Sequence, residues 1–146
     1  EGVIASETSN NAMTGGAMGQ LDSLIYQGRV QTQMDFMLNK QVWGFNGVAN
    51  LPDAPMFSVR QGETIIVDVH NHTNFEHAMH VHGHHFRVLE RNGVPDTERP
   101  WRDTFLIAPD SSTKIAFGGG NPGKWLFHCH MLEHAAAGMN SWFEVS

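Results

Sequence analysis

Short strand-like runs, cut apart by clusters of Gly, Pro and Asn, recur along this sequence, and no segment carries a long helical period. Thr64-Ile65-Ile66-Val67-Asp68-Val69 is the clearest run, rich in β-branched residues that pack well on a pleated surface. Short strands at this spacing, separated by turn chemistry, predict an all-β sandwich or barrel. The 146 residues allow one domain, and the 40% apolar content fills one core of ordinary size.

The predicted elements follow from the same signals. Gln27 to Met37 alternates like a strand, and Trp43-Gly44-Phe45-Asn46-Gly47 looks like a strand end entering a turn. Phe57 to Arg60 leads through Gly62 into the Thr64 strand. Val88 to Glu90 continue the strand that carries the histidine-rich run before them. Trp101 to Ile107, Lys114 to Phe117 and Ser141 to Val145 are further strands, with Asn92-Gly93 and Gly118 to Gly123 as turns. Glu133 to Gly138 contains Ala135, Ala136 and Ala137 and winds into a short helical turn that returns Met139 toward Cys129. Residues 1–20 are small and polar and are expected to form a flexible arm or linker, leaving 21–146 as the domain. Met13 and Met18 within that arm could bind cuprous ion softly, but an incidental role is the favoured reading.

Charge and cysteine usage narrow the function. The net charge of -6 and the lack of a basic block argue against nucleic acid and anionic membranes as partners. One cysteine excludes an internal disulfide, so redox compartment cannot be taken from cysteine count. No stretch approaches the roughly 18 apolar residues of a membrane span, and the first residues lack a basic, apolar signal region. The chain begins at Glu1, which fits either a removed leader or a piece of a longer polypeptide.

That single cysteine lies in His128-Cys129-His130-Met131-Leu132-Glu133-His134, followed by Gly138-Met139. In an extended strand neighbouring side chains point to opposite faces, so Cys129 faces one way and His128 and His130 the other. Two metal sites can therefore sit back to back, joined by backbone rising only about 3.3 Å per residue. A second motif, His77-Ala78-Met79-His80-Val81-His82-Gly83-His84-His85-Phe86, belongs to a stretch holding seven of the ten histidines. There His80 and His82 share a face, whereas His77 can point to the opposite side. His77, His134, Cys129 and Met139 make two imidazoles, a thiolate and a weak thioether, the donor set of a blue-copper electron-transfer site. His80, His82, His128 and His130 remain as a second set. For His70, His72 and His85 a packed or solvent-facing role is favoured, and Met79, Met131, Trp125 and Phe127 are expected to be packing residues.

From about Trp43 to Val145 the chain resembles the C-terminal cupredoxin domain of the multicopper oxidases, the laccases and bacterial copper oxidases. The likeness rests on the Phe-Asn-Gly turn, HAMHVHGHHF, WRDTF and NPGKWLFHCHMLEHAAAGM. It implies a cupredoxin Greek-key β-sandwich with short helical turns. It further implies type 1 copper on His77, Cys129, His134 and Met139, type 2 copper on His80, and the type 3 pair on His82, His128 and His130. Cys129, His128 and His130 would be the catalytic electron route to a trinuclear cluster that reduces dioxygen to water. That cluster uses eight histidines in the family, four of them from an N-terminal domain. One copy of this chain supplies half.

Three arrangements would complete it: a longer oxidase carrying an N-terminal cupredoxin domain, which is favoured, a separate chain carrying that domain, or symmetric copies of this chain. The implied function is one-electron oxidation of a small reducing substrate, a phenol, aromatic amine or metal ion, coupled to dioxygen reduction in the periplasm or outside the cell. The alternative is a stand-alone blue-copper electron-transfer protein. Copper storage is a weaker third reading, and a copper nitrite reductase is disfavoured by the five-residue step from Cys129 to His134 and by the flanking histidines.

Some positions depart from the family pattern. Where many bacterial relatives place an acid after the histidine equivalent to His134, this chain has Ala135. Glu133 is expected to be solvated or to support a ligand instead. Asp103 is expected to orient a ligand or backbone, His84 to support a ligand, and Met139 to set a lower reduction potential than in high-potential fungal laccases.

Overall fold

The computed structural model describes residues 7–15 and 23–146. Its elements are β1 (Glu7–Gly15), β2 (Ile25–Tyr26), β3 (Arg29–Val30), α1 (Gln33–Asn39), β4 (Trp43–Phe45), β5 (Ser58–Val59), β6 (Thr64–Asn71) and β7 (His77–Val81). They continue with β8 (Phe86–Arg91), β9 (Val94–Pro95), β10 (Trp101–Arg102), β11 (Thr104–Ile107), β12 (Ser111–Gly118), β13 (Gly123–Cys129), α2 (Leu132–Ala136) and β14 (Asn140–Val145). The architecture is an all-β sandwich with two short helices. One sheet runs β10-β8-β12-β6-β1-β4 with β9 on β8, and the other runs β11-β7-β13-β14-β5. Successive strands β6, β7 and β8, and later β11, β12 and β13, alternate between the two sheets.

Period-two burial builds the core. In β6, Ile65, Val67, Val69 and Asn71 point inward while Thr64, Ile66, Asp68 and His70 are half-exposed. Phe127 and Cys129 of β13, Phe143 and Val145 of β14 and Ile115 and Phe117 of β12 complete the same buried cluster. Burying a side chain of this size is worth about 1.5–3 kcal/mol relative to leaving it in water.

Three stretches differ from the sequence expectation. The strand expected to continue through Glu90 breaks after Val81, with Gly83 at φ +72°, into β7 and β8, which lie in different sheets. Glu7–Gly15, inside the segment expected to be a linker, is a strand paired in parallel with β6, from Glu7↔Ile65 to Met13↔Asn71, and antiparallel with β4. Its Asn, Ser and Thr side chains carry little strand propensity. Backbone pairing on both edges holds it instead, with Met13 fully buried and Asn11 Nδ2 donating to Ser9 Oγ at 2.8 Å. Met18 lies outside the described residues.

The Gln27 to Met37 run is a tight β2-β3 hairpin followed by helix α1, not one strand. A capping box decides this locally. The backbone N–H of Asp35 donates to Thr32 Oγ1 at 3.2 Å, and that of Thr32 donates to Asp35 Oδ2 at 2.8 Å. Those Thr32 hydrogen bonds, with Arg29 2.9 Å away, hold the Asp35 carboxyl below its usual range.

The placement of β1 is testable. Met13→Ala should cost about 2–4 kcal/mol, as expected for truncating a fully buried side chain. Denaturant unfolding measures it; a loss within about 0.5 kcal/mol, as at ordinary surface sites, would return this segment to the status of a linker.

Candidate metal centre

Antiparallel pairing of β7 with β13 sets the site, with Phe127 opposite Val81, His128 opposite His80 and Cys129 opposite Met79. Along β7, His77, Met79 and Val81 are buried while Ala78 and His80 are half-exposed. Along β13, Phe127 and Cys129 are buried, His128 is half-exposed and His130, just beyond, is exposed. One register therefore sorts the histidines to two sides of the strand pair.

On the inner side, His77, Cys129 and His134 are, among the described residues, the trio of His, Cys, Asp or Glu whose donor atoms all lie within 4.8 Å of one another. Cys129 Sγ is 3.8 Å from His77 Nδ1 and 3.7 Å from His134 Nδ1, and the two Nδ1 atoms are 3.0 Å apart. A first-row metal with bonds of about 2.0 Å to nitrogen and about 2.3 Å to sulfur would, in a trigonal arrangement, need N···S near 3.7 Å and N···N near 3.5 Å. The triangle fits such an ion with a small opening of the two rings. Two imidazole nitrogens facing each other at 3.0 Å also need a shared proton or a cation between them.

Local folding supplies the third corner. After Cys129 the chain winds through α2, which carries His134, and ends at Gly138, where φ is +115°. A Cβ at Gly138 would collide with the backbone carbonyl oxygen of Trp43, so glycine permits both the turn and the close approach. Met139 then donates its N–H to the His134 carbonyl at 3.0 Å, and its own carbonyl accepts from the Cys129 N–H at 3.1 Å. Its side chain is fully buried in the cluster that contains Cys129. Trp43 lies 5.0 Å from both the His77 and the His134 rings. Gln41 Nε2 donates to the Ala136 carbonyl at 3.1 Å, tying the end of α1 to the α2 loop. Neither Trp43 nor Gln41 carries a sequence signal for this role; both meet the site only through the fold.

Electrostatics suit uptake of a cation. Burial, and then the neighbouring His134, lowers the His77 pKa from 6.5 to about 4. Burial also lowers His134, opposed by Glu133. Both rings are thus neutral donors near pH 7. Burial pushes the Cys129 thiol up, against hydrogen bonds from the Met131 and Ala78 backbone. The metal-free cysteine is a thiol, and a metal that binds its thiolate must displace the proton.

On the other side, His80, His82, His128 and His130 cluster with neighbouring ring centroids 4.8 to 6.0 Å apart. His80 Nδ1 lies 2.9 Å from the Asp103 carbonyl oxygen, and His128 Nδ1 lies 2.8 Å from that of Cys129. A carbonyl only accepts, so these Nδ1 atoms carry the protons and leave each Nε2 lone pair able to ligate a metal. The Asp103 backbone, more than its exposed carboxylate, holds His80, since the nearer carboxylate oxygen is 4.0 Å away. His82 Nε2 is 2.8 Å from His128 Nε2, and burial followed by the other three histidines lowers the His82 pKa.

The remaining histidines lie elsewhere. His84 is buried against Phe117, Trp125 and Phe143; its Nε2 accepts from the Asn121 N–H at 3.3 Å and its Nδ1–H donates to the His82 carbonyl at 3.3 Å, so it braces the backbone of His82 from the core. His85 is exposed, and His70 and His72 stack on the outer face of β6. Met79 is buried in the core, and Glu133 and Asp103 are exposed.

The sequence profile of the multicopper oxidase family matches residues 26–146, and the chain belongs to that family, which implies copper as its metal. It is 32% identical over 100 residues to the multicopper oxidase MmcO of Mycobacterium tuberculosis, a match covering 68% of this chain and 19% of that protein. It is 31% identical over 106 residues to an iron multicopper oxidase of Mycosarcoma maydis, covering 63% of this chain and 17% of that protein. The chain thus spans less than a fifth of the length of these relatives. Its fold is similar to that of a multicopper oxidase from Campylobacter jejuni described as a metallo-oxidase, with TM-score 0.77 and 21% identity over 99% of this chain and 31% of the other. Such a likeness establishes the cupredoxin sandwich. Among the described residues no helix is long and apolar enough to cross a membrane.

The buried neutral His77 has a measurable consequence. Between pH 6.5 and about 4 the unfolded chain binds a proton at His77 that the folded chain does not. Stability of the metal-free protein is therefore full above about pH 6.5 and falls as pH drops through 4, with a His77 share on the order of 3 kcal/mol. Denaturant titrations across this range should show His77→Gln with a visibly shallower pH dependence; parallel curves for the two proteins would contradict the burial of a neutral ring.

Proposed function

We propose that this chain is a copper-bearing domain of a multicopper oxidase, with type 1 copper held by His77, Cys129, His134 and Met139. His80 would serve type 2 copper, and His82, His128 and His130 the type 3 pair. The observation that carries this reading is the back-to-back arrangement on β13, with a cysteine–imidazole trio on one side and four clustered imidazoles on the other. Copper in these positions would supply one-electron redox chemistry, drawing electrons from a small reducing substrate on the Cys129 side and reducing dioxygen to water on the histidine side.

The chain's own residues do the rest. Cys129 joins the two sides covalently, because its backbone runs directly into His128 and His130. The hydrogen bond from His128 Nδ1–H to the Cys129 carbonyl adds a second link between the same residues. Trp43 and the core exclude water from the thiolate, since Cys129 and His77 are both fully buried. His134 is the half-exposed member of the trio and offers the edge a substrate can approach. On the other side, the Asp103 carbonyl fixes the ring of His80.

The four-histidine face is only partly covered, which supports a cluster completed by an N-terminal cupredoxin domain of the same or another chain, or by symmetric copies of this one. Small reductants such as phenols, aromatic amines or metal ions fit the reading, and the site of action would be periplasmic or extracellular. A second reading has its own support. The Cys129 trio is complete within the chain while the histidine face is not, as in a stand-alone blue-copper electron carrier.

Absorption and oxygen uptake decide between these. Copper-loaded protein should show an intense visible thiolate-to-copper band that Cys129→Ser abolishes; a colourless copper-loaded wild type would exclude the type 1 assignment. Substrate-dependent oxygen consumption should require an assembly larger than one copy of this chain. A blue protein that consumes no oxygen in any assembly would favour the electron carrier.

A further inference from the structure

The end of β6 carries a buried polar relay that ends on the His77 ring. Asn71 and Thr73 are 1% and 3% exposed, so their hydrogen bonds must be satisfied within the protein. Asn71 Nδ2 faces three carbonyl oxygens, those of Phe75 at 2.7 Å, Ala108 at 3.0 Å and Ile107 at 3.2 Å. Only an amide nitrogen can face three acceptors, which fixes the orientation of the side chain and turns Oδ1 toward Thr73.

Oδ1 accepts from the Thr73 N–H at 3.0 Å and lies 2.7 Å from Thr73 Oγ1. An amide oxygen cannot donate, so at that distance the hydroxyl proton must lie between the two oxygens. Donation elsewhere would leave two acceptors facing each other at 2.7 Å. Thr73 Oγ1 also lies 3.2 Å from the Phe75 carbonyl oxygen, a longer contact than the 2.7 Å one to Asn71 and so the weaker claim on the proton. With the proton on the shorter bond, the Thr73 oxygen is an acceptor toward the Phe75 N–H at 3.3 Å and His77 Nε2 at 2.8 Å. His77 Nε2 must carry the ring proton, which leaves the Nδ1 lone pair aimed at Cys129 Sγ and His134 Nδ1.

We infer that Thr73, locked by Asn71, is a positioning residue that fixes the Nε2–H tautomer of His77 and so presents Nδ1 as the donor atom to the metal. Its role toward copper rests on the reading above; the tautomer itself is a property of the metal-free chain. A hydrogen-bond partner of this kind also makes a ligating imidazole more basic.

The test pairs Thr73→Val, which keeps the shape and removes the hydroxyl, with Thr73→Ser, which keeps the hydroxyl. In metal-free protein near pH 7, nitrogen-15 NMR of the imidazoles should show His77 as Nε2–H in wild type and in Thr73→Ser. In Thr73→Val the Nδ1–H form should become populated, because Nε2–H would lose its buried acceptor while Nδ1–H can donate to His134. With Cu(II), Thr73→Val should bind about 10-fold more weakly or worse and should show a raised reduction potential, both restored by serine. An unchanged tautomer in Thr73→Val overturns the inference, and so does a serine variant that behaves like valine. If wild type binds copper without the visible band, the copper reading fails, while the metal-free spectra still decide whether Thr73 sets the ring.

Discussion

The pairing register of β7 on β13 is the constraint on which the rest of the centre depends. With His128 opposite His80 and Cys129 opposite Met79, every second side chain faces the core and the others face outward. A slip of one residue would turn the thiol to solvent and drive imidazoles into an apolar core. Both strands resist that slip through their buried residues, since Met79, Val81 and Phe127 would have to exchange with half-exposed histidines and Leu126. Packing that stabilises the sandwich thus also keeps the two groups of ligand-type side chains on opposite sides of one strand pair.

The surrounding fold completes the inner side from distant parts of the chain. The Trp43 segment meets the α2 loop, with the Trp43 N–H donating to the Ala137 carbonyl at 3.0 Å. Gly138 leaves room for that contact, and Thr73 reaches His77 from the end of β6. Each of these supports acts on a ring or loop that carries a donor atom. Geometry at the thiol is therefore a property of the whole sandwich, while only three short segments supply His77, Cys129 and His134.

Strand period made much of this legible in the sequence. The facing of His77 against His80, and of Cys129 against its neighbours, follows from alternation alone, and the alanine-rich turn after Cys129 follows from helix propensity. Other features were not legible, for physical reasons. The β1 strand is held by backbone ladders on both edges and has little side-chain signature beyond Met13. Helix α1 is about two turns long, and the Thr32–Asp35 capping box at its start outweighs an alternating pattern. Thr73 and Trp43 reach the centre through tertiary contacts, so no spacing from Cys129 betrays them. His84 was expected to support a ligand, and its ring does so only through the His82 backbone carbonyl, from a place in the core where Nε2 also accepts from the Asn121 N–H.

Copper-edge anomalous diffraction from crystals of the copper-loaded protein tests the central claim most directly. The arrangement on β13 predicts a metal peak within bonding distance of Cys129 Sγ, His77 Nδ1 and His134 Nδ1. Any further peak should lie across the strand pair among His80, His82, His128 and His130. A metal bound jointly by Cys129 and either flanking histidine, or a Cys129 left without metal while copper fills the histidine face, would contradict it.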